Sequence, residues 1–212
     1  MGESFGVFLL PLSDYFTWDR ASVTSIYSIY MFFLGLGSLL SGISFDRYGA
    51  KFNYIFGTSL LVIAYGAAGY LEHLWQFYIF LGIMGGIGAS MVGIVPSQSI
   101  LLKWFDKRLS SALSIAYAGQ GLGVLFLAPI CQILIVKYGW GASYSLVAVC
   151  FAVIVILLFF LPWEKIRKGS KNEIKPKLSK LNNIRLKEAL LTSSFWIFFF
   201  IFLFTAMGIF GI

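Results

Sequence analysis

Gly42-Ile43-Ser44-Phe45-Asp46-Arg47-Tyr48-Gly49-Ala50-Lys51 is a compact charged turn set between two long apolar stretches. Upstream, Ala21 to Phe45 carries no charge, and downstream neither does Phe52 to Leu71. A helix rising about 1.5 Å per residue needs about 20 such residues to cross a hydrocarbon core of about 30 Å. Only a few residues separate the two stretches, so they are expected to form a membrane hairpin with its charges at one membrane face. Gly42 is expected to let helices pack closely, and Gly49 to permit the sharp turn.

The rest of the 212 residues agrees. Hydrophobic side chains make up 59% of the chain, 18% are aromatic, only 12% are charged and the mean hydropathy is +0.86, which places it outside the range of soluble domains. A formal charge of +7 would suit a nucleic-acid binder. Basic residues interleaved with apolar spans are better read as topology signals, and no nucleic-acid partner is expected. Cys131 and Cys150 both lie in apolar stretches, where a thiol behaves as a small hydrophobe and not as part of a disulfide framework.

The uncharged runs long enough to span are Ala21 to Phe45, Phe52 to Leu71, Trp75 to Leu102, Leu109 to Val136, Trp140 to Leu161 and Leu190 to Ile212. Met1 to Ser13 is apolar but too short to span unaided and reads as the outer end of a helix whose beginning is missing. The sequence therefore reads as a fragment of a larger all-α membrane protein. Residues 1–162 form a transmembrane bundle with a truncated first helix, 163–188 a basic cytoplasmic linker, and 189–212 the start of a second bundle. The segment Leu178 to Leu186 of the linker has two readings, a basic helix lying on anionic lipid or a solvated tether.

Orientation follows from the basic residues. Of the 16, all but Arg20 and Lys137 fall in alternate connections on one side, which the positive-inside rule makes cytoplasmic. Loops 46–53, 103–109 and 163–188 are thus expected to face the cytoplasm, in a multi-pass protein of the cell membrane. Small residues are dense within the spans. Gly82, Gly86 and Ser90 form one ladder, and Gly85, Ala89 and Gly93 a second beside it. In the next span Ala112 pairs with Ala116 and Gly119 with Gly123, the pattern of closely packed membrane helices.

The charged turn resembles the loop signature between the second and third helices of the major facilitator superfamily, matching at Gly42, Asp46, Arg47, Gly49 and Lys51, with Ala50 at the first of its two closing basic positions. Further stretches resemble the oxalate/formate antiporter and monocarboxylate porter branch. These are Phe16 to Ala21, Lys103-Trp104-Phe105, Gly119-Gln120-Gly121-Leu122-Gly123 with Pro129, and Tyr138-Gly139-Trp140. The resemblance implies a six-helix N-terminal bundle of two inverted three-helix units, followed by the first helix of the C-terminal half. Arg47-Tyr48-Gly49 and Lys137-Tyr138-Gly139 occupy equivalent turns of the two units, on opposite faces.

It further implies a secondary transporter working by alternating access on a small molecule, a mono- or dicarboxylate anion, with the lipid bilayer and the missing half of the same protein as partners. Asp46 would be a latch acceptor, with Arg47 and Lys51 as its basic partners, although these two cations also suffice as topology signals. Gln120 near the middle of its span, Tyr117 one turn before it, and Tyr27 and Tyr30 in the outer half of the second helix are the polar residues that could line a substrate path. Taken singly, each such residue is more simply explained by a hydrogen bond to a neighbouring helix. Gln98, two residues after Pro96, is expected to satisfy the carbonyl that proline frees.

Enzyme chemistry finds no footing. The single histidine, His73, lies in an outer loop, no Gly-x-Ser-x-Gly elbow occurs, and the glycine-rich stretch from Gly82 to Gly93 lies inside a span with no lysine following. No cofactor or metal is expected. The competing reading from another class is a half-size membrane module that dimerises as a channel or scaffold.

Overall fold

The structure, a computed structural model, describes residues 5–105, 108–168, 196–197 and 200–201, with the side chains of Gln120, Arg167 and Lys168 outside that description. Every described element is helical. The short helix α1 is Phe5–Phe16, whose 12 residues cover about 18 Å at about 1.5 Å each, less than a bilayer core. Arg20–Ala68 is helical throughout except at Gly49, where φ is 81° and ψ is 176°. It folds as two helices, α2 (20–48) and α3 (50–68). Leu74–Trp104 is α4. Leu109–Phe160 breaks in the same way at Gly139, with φ 82° and ψ 167°, into α5 (109–138) and α6 (140–160). Trp163–Lys168 forms a last short helix, α7.

The five expected spans between Ala21 and Leu161 therefore all fold as helices. The sixth, Leu190 to Ile212, lies largely outside the described residues.

Gly49 and Gly139 share a backbone conformation that is open to glycine almost alone. A left-handed φ with an extended ψ reverses the chain within one residue, which is why so few residues suffice between successive spans. Two equal turns, one after α2 and one after α5, are what two three-helix units of the same construction require. Because a Cβ in this region is strained whatever the space around it, Gly49→Ala and Gly139→Ala are each expected to destabilise the protein by about 1–3 kcal/mol. Thermal unfolding of the purified variants measures this, and an unchanged midpoint for both would contradict the turn geometry.

Packing within the bundle follows the first glycine ladder. A Cβ on Gly82 would meet Ile29 at 2.7 Å, one on Gly86 the carbonyl oxygen of Tyr30 at 2.6 Å, and one on Gly37 the side chain of Ser90. With the Ser25–Tyr78 hydroxyl pair at 2.8 Å, these contacts advance in step along both helices, so α2 and α4 run parallel, backbone against backbone. The stretch Tyr78–Met84 of α4 is π-helical, widening the helix where Gly82 meets Ile29.

The other smooth face differs from the expected second ladder. Gly88 meets α3, with its added Cβ 2.9 Å from the carbonyl oxygen of Gly57, whereas Gly85 lies against the Tyr30 ring of α2. Gly93 instead leaves the helical conformation, with φ −76° and ψ −146°, and interrupts α4.

An aromatic cluster closes one end of the bundle. Phe16 stacks on Trp18 at 4.3 Å and meets Phe77 at 5.7 Å and Trp140 at 5.4 Å, which joins α1, α4 and α6. Behind it Phe8 stacks on Tyr144 at 4.2 Å, and Tyr65 on Phe151 at 5.5 Å. The start of α6 approaches the end of α3 closely, with an added Cβ on Gly69 only 2.8 Å from the Gly141 carbonyl oxygen. Cys131 is buried in this core and Cys150 is exposed, and both are free thiols.

The chain divides into two compact units, Met1–Lys171 and Asn172–Ile212. The first residues of the expected linker thus belong with the bundle. In the second unit the described residues are helical, and the Trp196 and Phe200 rings lie 6.2 Å apart, one turn from each other.

Candidate functional site

At the end of the bundle opposite the aromatic cluster, the charged turn borders a recess of about 560 Å³. Asp46, Arg47, Gly49 and Lys51 all line it. Lys103 joins them from the end of α4, with Trp163 and Glu164 from α7. Basic residues from two alternate connections, separated widely in sequence, therefore converge at one end of the protein.

Asp46, Arg47 and Lys51 are exposed. Arg47 lies over the ring of Tyr48, 5.3 Å from its centre, and Lys103 over Phe45 at the same distance. Such contacts are worth about 0.5–1 kcal/mol at exposed sites and keep the cations at the rim. Gly42 stands apart. A Cβ there would meet nothing within 4 Å, so the close contact expected of it is not made by any described residue.

Beneath the turn, α2 and α3 are tied by a polar clamp that sequence reading missed. Asn53 is fully buried and donates from Nδ2 to the Ser41 carbonyl oxygen at 2.9 Å and to Ser41 Oγ at 3.1 Å. Its Oδ1 accepts from Ser44 Oγ at 2.6 Å. Every polar atom of the amide side chain is thereby used, as burial demands. The clamp holds the two helix ends on either side of Asp46 in fixed register. The sequence signal is a lone amide placed immediately inside a span.

A second set of ties runs through α4. Ser97 Oγ donates to the Gly93 carbonyl oxygen at 2.8 Å and accepts from Tyr54 of α3 at 2.8 Å. The serine hydroxyl thus serves the Gly93 carbonyl, which also accepts from the Ser97 backbone N–H, and not the Val92 carbonyl that Pro96 frees. Gln98 Nε2 instead donates to the hydroxyl of Tyr117 on α5 at 2.7 Å. This is a correction to the sequence reading. The amide reaches across to another helix, joining α4 to α5.

The other expected polar residues fall as follows. Tyr27 and Tyr30 stack at 6.2 Å, and Phe5 of α1 stacks on Tyr27 at 5.5 Å. Tyr30 is buried. These three rings, with Ile26 and Leu81, close around a void with no room for a water molecule. Tyr117 is half-buried and held by Gln98. Gln120 is helical on α5, and its side chain lies outside the described residues. The structure therefore brings Tyr27 and Tyr30 together and places Tyr117 in a pair with an amide from α4. Among the described residues no group of three or more histidine, cysteine, aspartate or glutamate side chains could hold a metal ion.

Comparison with known proteins follows the same lines. The family model of the Major Facilitator Superfamily matches residues 1–212. The chain is 28% identical over 156 residues to the uncharacterized MFS-type transporter YcxA of Bacillus subtilis, covering 74% of this chain and 38% of that protein. It is 29% identical over 157 residues to human monocarboxylate transporter 7, covering 74% of this chain and 29% of that one. With human monocarboxylate transporter 1 it shares 28% identity over 142 residues, covering 67% of this chain and 28% of the other. The matched region is thus a minor part, well under half, of each of these relatives.

Proposed function

Because the chain belongs to the major facilitator superfamily, we propose that the whole protein is a secondary transporter that works by alternating access and carries a small organic anion, a monocarboxylate or dicarboxylate. The observation that carries this reading is the charged turn itself. It sits on a glycine-only reversal, is clamped from beneath by Asn53, and presents an exposed Asp46 beside an open recess. A carboxylate so placed can pair with a helix end of the missing half, hold the cytoplasmic face shut and let go once per cycle.

A surface ion pair contributes about 0–1 kcal/mol, and a latch that must open on every turnover needs no more. Arg47 and Lys51 serve as its basic partners, Gly49 gives the turn, and Gly42 is the surface left bare for close approach. The protein lies in the cell membrane with loops 46–53, 103–109 and 163–188 in the cytoplasm.

The substrate class rests on the relatives named monocarboxylate transporters, since the apolar spans of this chain hold no cation to receive a carboxylate. Tyr27, Tyr30, Tyr117 and Gln120 form the polar wall it passes, and the hydrogen bond from Gln98 adds that residue to the wall.

Full-length protein in sealed vesicles, given labelled lactate or succinate, is expected to show saturable uptake that excess unlabelled anion abolishes. Absence of uptake together with ion conductance across the same vesicles would replace the transporter with a channel.

A further inference from the structure

We propose that the recess beside the charged turn is a binding site for the phosphate-bearing headgroup of an anionic phospholipid of the surrounding bilayer. Among the described residues three cations, Arg47, Lys51 and Lys103, line it, against two carboxylates, Asp46 and Glu164. Among the described residues none of the three is held in an ion pair. Arg47 and Lys103 rest on aromatic faces, which fix their positions while leaving their N–H donors available.

Its volume of about 560 Å³ is many times the roughly 30 Å³ of one water molecule, and it opens to the outside. Its walls mix these charges with Phe45, Ile100 and Trp163, polar and apolar together, as a headgroup joined to acyl chains requires. At the same end of the bundle Tyr48 and Trp104 are exposed, the side chains that settle at the headgroup level of a membrane. Basic pockets between helices on the cytoplasmic side are where anionic headgroups lodge.

The third wall is α7, the start of the linker. Trp104 Nε1 donates to the Ile166 carbonyl oxygen at 3.3 Å, Trp163 Nε1 donates to the Leu158 carbonyl oxygen at 2.7 Å, and the Trp163 ring lies 6.0 Å from that of Tyr54. These contacts seat α7 under the ends of α3 and α4, so the recess is a built feature of the fold and not a gap beside a loose tail. A headgroup there would touch the charged turn, the end of α4 and the linker at once.

The proposal is independent of the latch, because it concerns binding and holds for a protein that does not transport. The test uses the full-length protein in nanodiscs of equal parts dioleoyl phosphatidylglycerol and dioleoyl phosphatidylcholine, with the lipids retained on gentle extraction counted by native mass spectrometry. Phosphatidylglycerol is expected to be retained in preference. Lys103→Gln should reduce that preference about fivefold, the factor carried by one basic residue near an anionic surface. Lys103→Arg should keep it, and so should Lys137→Gln at the opposite end of the bundle.

A Lys103→Arg protein that binds while Lys103→Gln does not separates charge from misfolding. Equal retention of the two lipids, or an equal effect of Lys103→Gln and Lys137→Gln, overturns the proposal. Displacement of the lipid by millimolar inorganic phosphate also overturns it, because the site would then be one for free anions.

Discussion

Gly86→Ala is expected to destabilise the bundle by about 3 kcal/mol, at the upper end of what inserting one methyl into a packed interior costs. The reason lies in what the methyl would strike. It would come within 2.6 Å of the Tyr30 carbonyl oxygen and 3.0 Å of the Leu34 nitrogen, both of them backbone atoms of α2. A flexible side chain could swing aside, but a helix backbone moves only as a whole. The neighbouring contacts at Gly82 and Gly37 would open with it, because all three belong to one parallel interface. In a membrane the loss is not offset by apolar burial, since lipid already surrounds the helices. Gly35→Ala is the matched control. A Cβ there meets nothing within 4 Å, so alanine's helix propensity should leave stability unchanged or raise it by up to about 1 kcal/mol. Thermal unfolding of the two purified variants decides the matter, and equal midpoints would mean that close packing of α2 on α4 does not hold the bundle together.

That interface was legible in the sequence because a ladder of small residues at helical spacing has few uses besides close approach. Which ladder faces which helix was not legible. Gly85, Ala89 and Gly93 look as suitable as Gly88, and the choice depends on how α3 sits relative to α4, a three-dimensional relation that spacing within one helix does not contain. Gly93 serves differently, as a break in α4 whose own carbonyl accepts from the Ser97 hydroxyl. The five complete spans and both turns followed from charge placement alone. The shared basic-Tyr-Gly step at residues 47–49 and 137–139 marked two turns of one design, and the paired values at Gly49 and Gly139 give that step its physical meaning.

Polar residues inside the spans were harder to place. Asn53, Gln98 and Tyr54 all form hydrogen bonds to other helices or across a helix end, and each bond depends on a partner far away in the chain. Tyr27 and Tyr30 were found together because they are one turn apart on the same helix. Tyr117 required its partner, Gln98, to be known before its role in joining α4 to α5 could be stated. Residues that act within one element can be read from its periodicity. Residues that act between elements need the packing first.

The same distinction gives Asp46→Asn its value as a test of mechanism. The substitution keeps the size and shape of the side chain and removes the negative charge, while the clamp at Asn53 and the turn at Gly49 stay intact. If Asp46 holds the cytoplasmic face closed through one exposed ion pair worth about 1 kcal/mol, its loss shifts the balance of the two states about fivefold toward the inward-open one. Return to the closed state then slows the cycle, and turnover of the full-length protein in vesicles should fall by about that factor. Substrate contacts lie elsewhere in the proposed path, so the half-saturating concentration should change little, which separates this outcome from damage to the binding site. Raising salt should blunt the difference between wild type and variant, because an exposed pair is screened while an intact turn is not. Undiminished turnover in Asp46→Asn at low salt would remove the latch, and with it the part of Arg47 and Lys51 in holding the face shut.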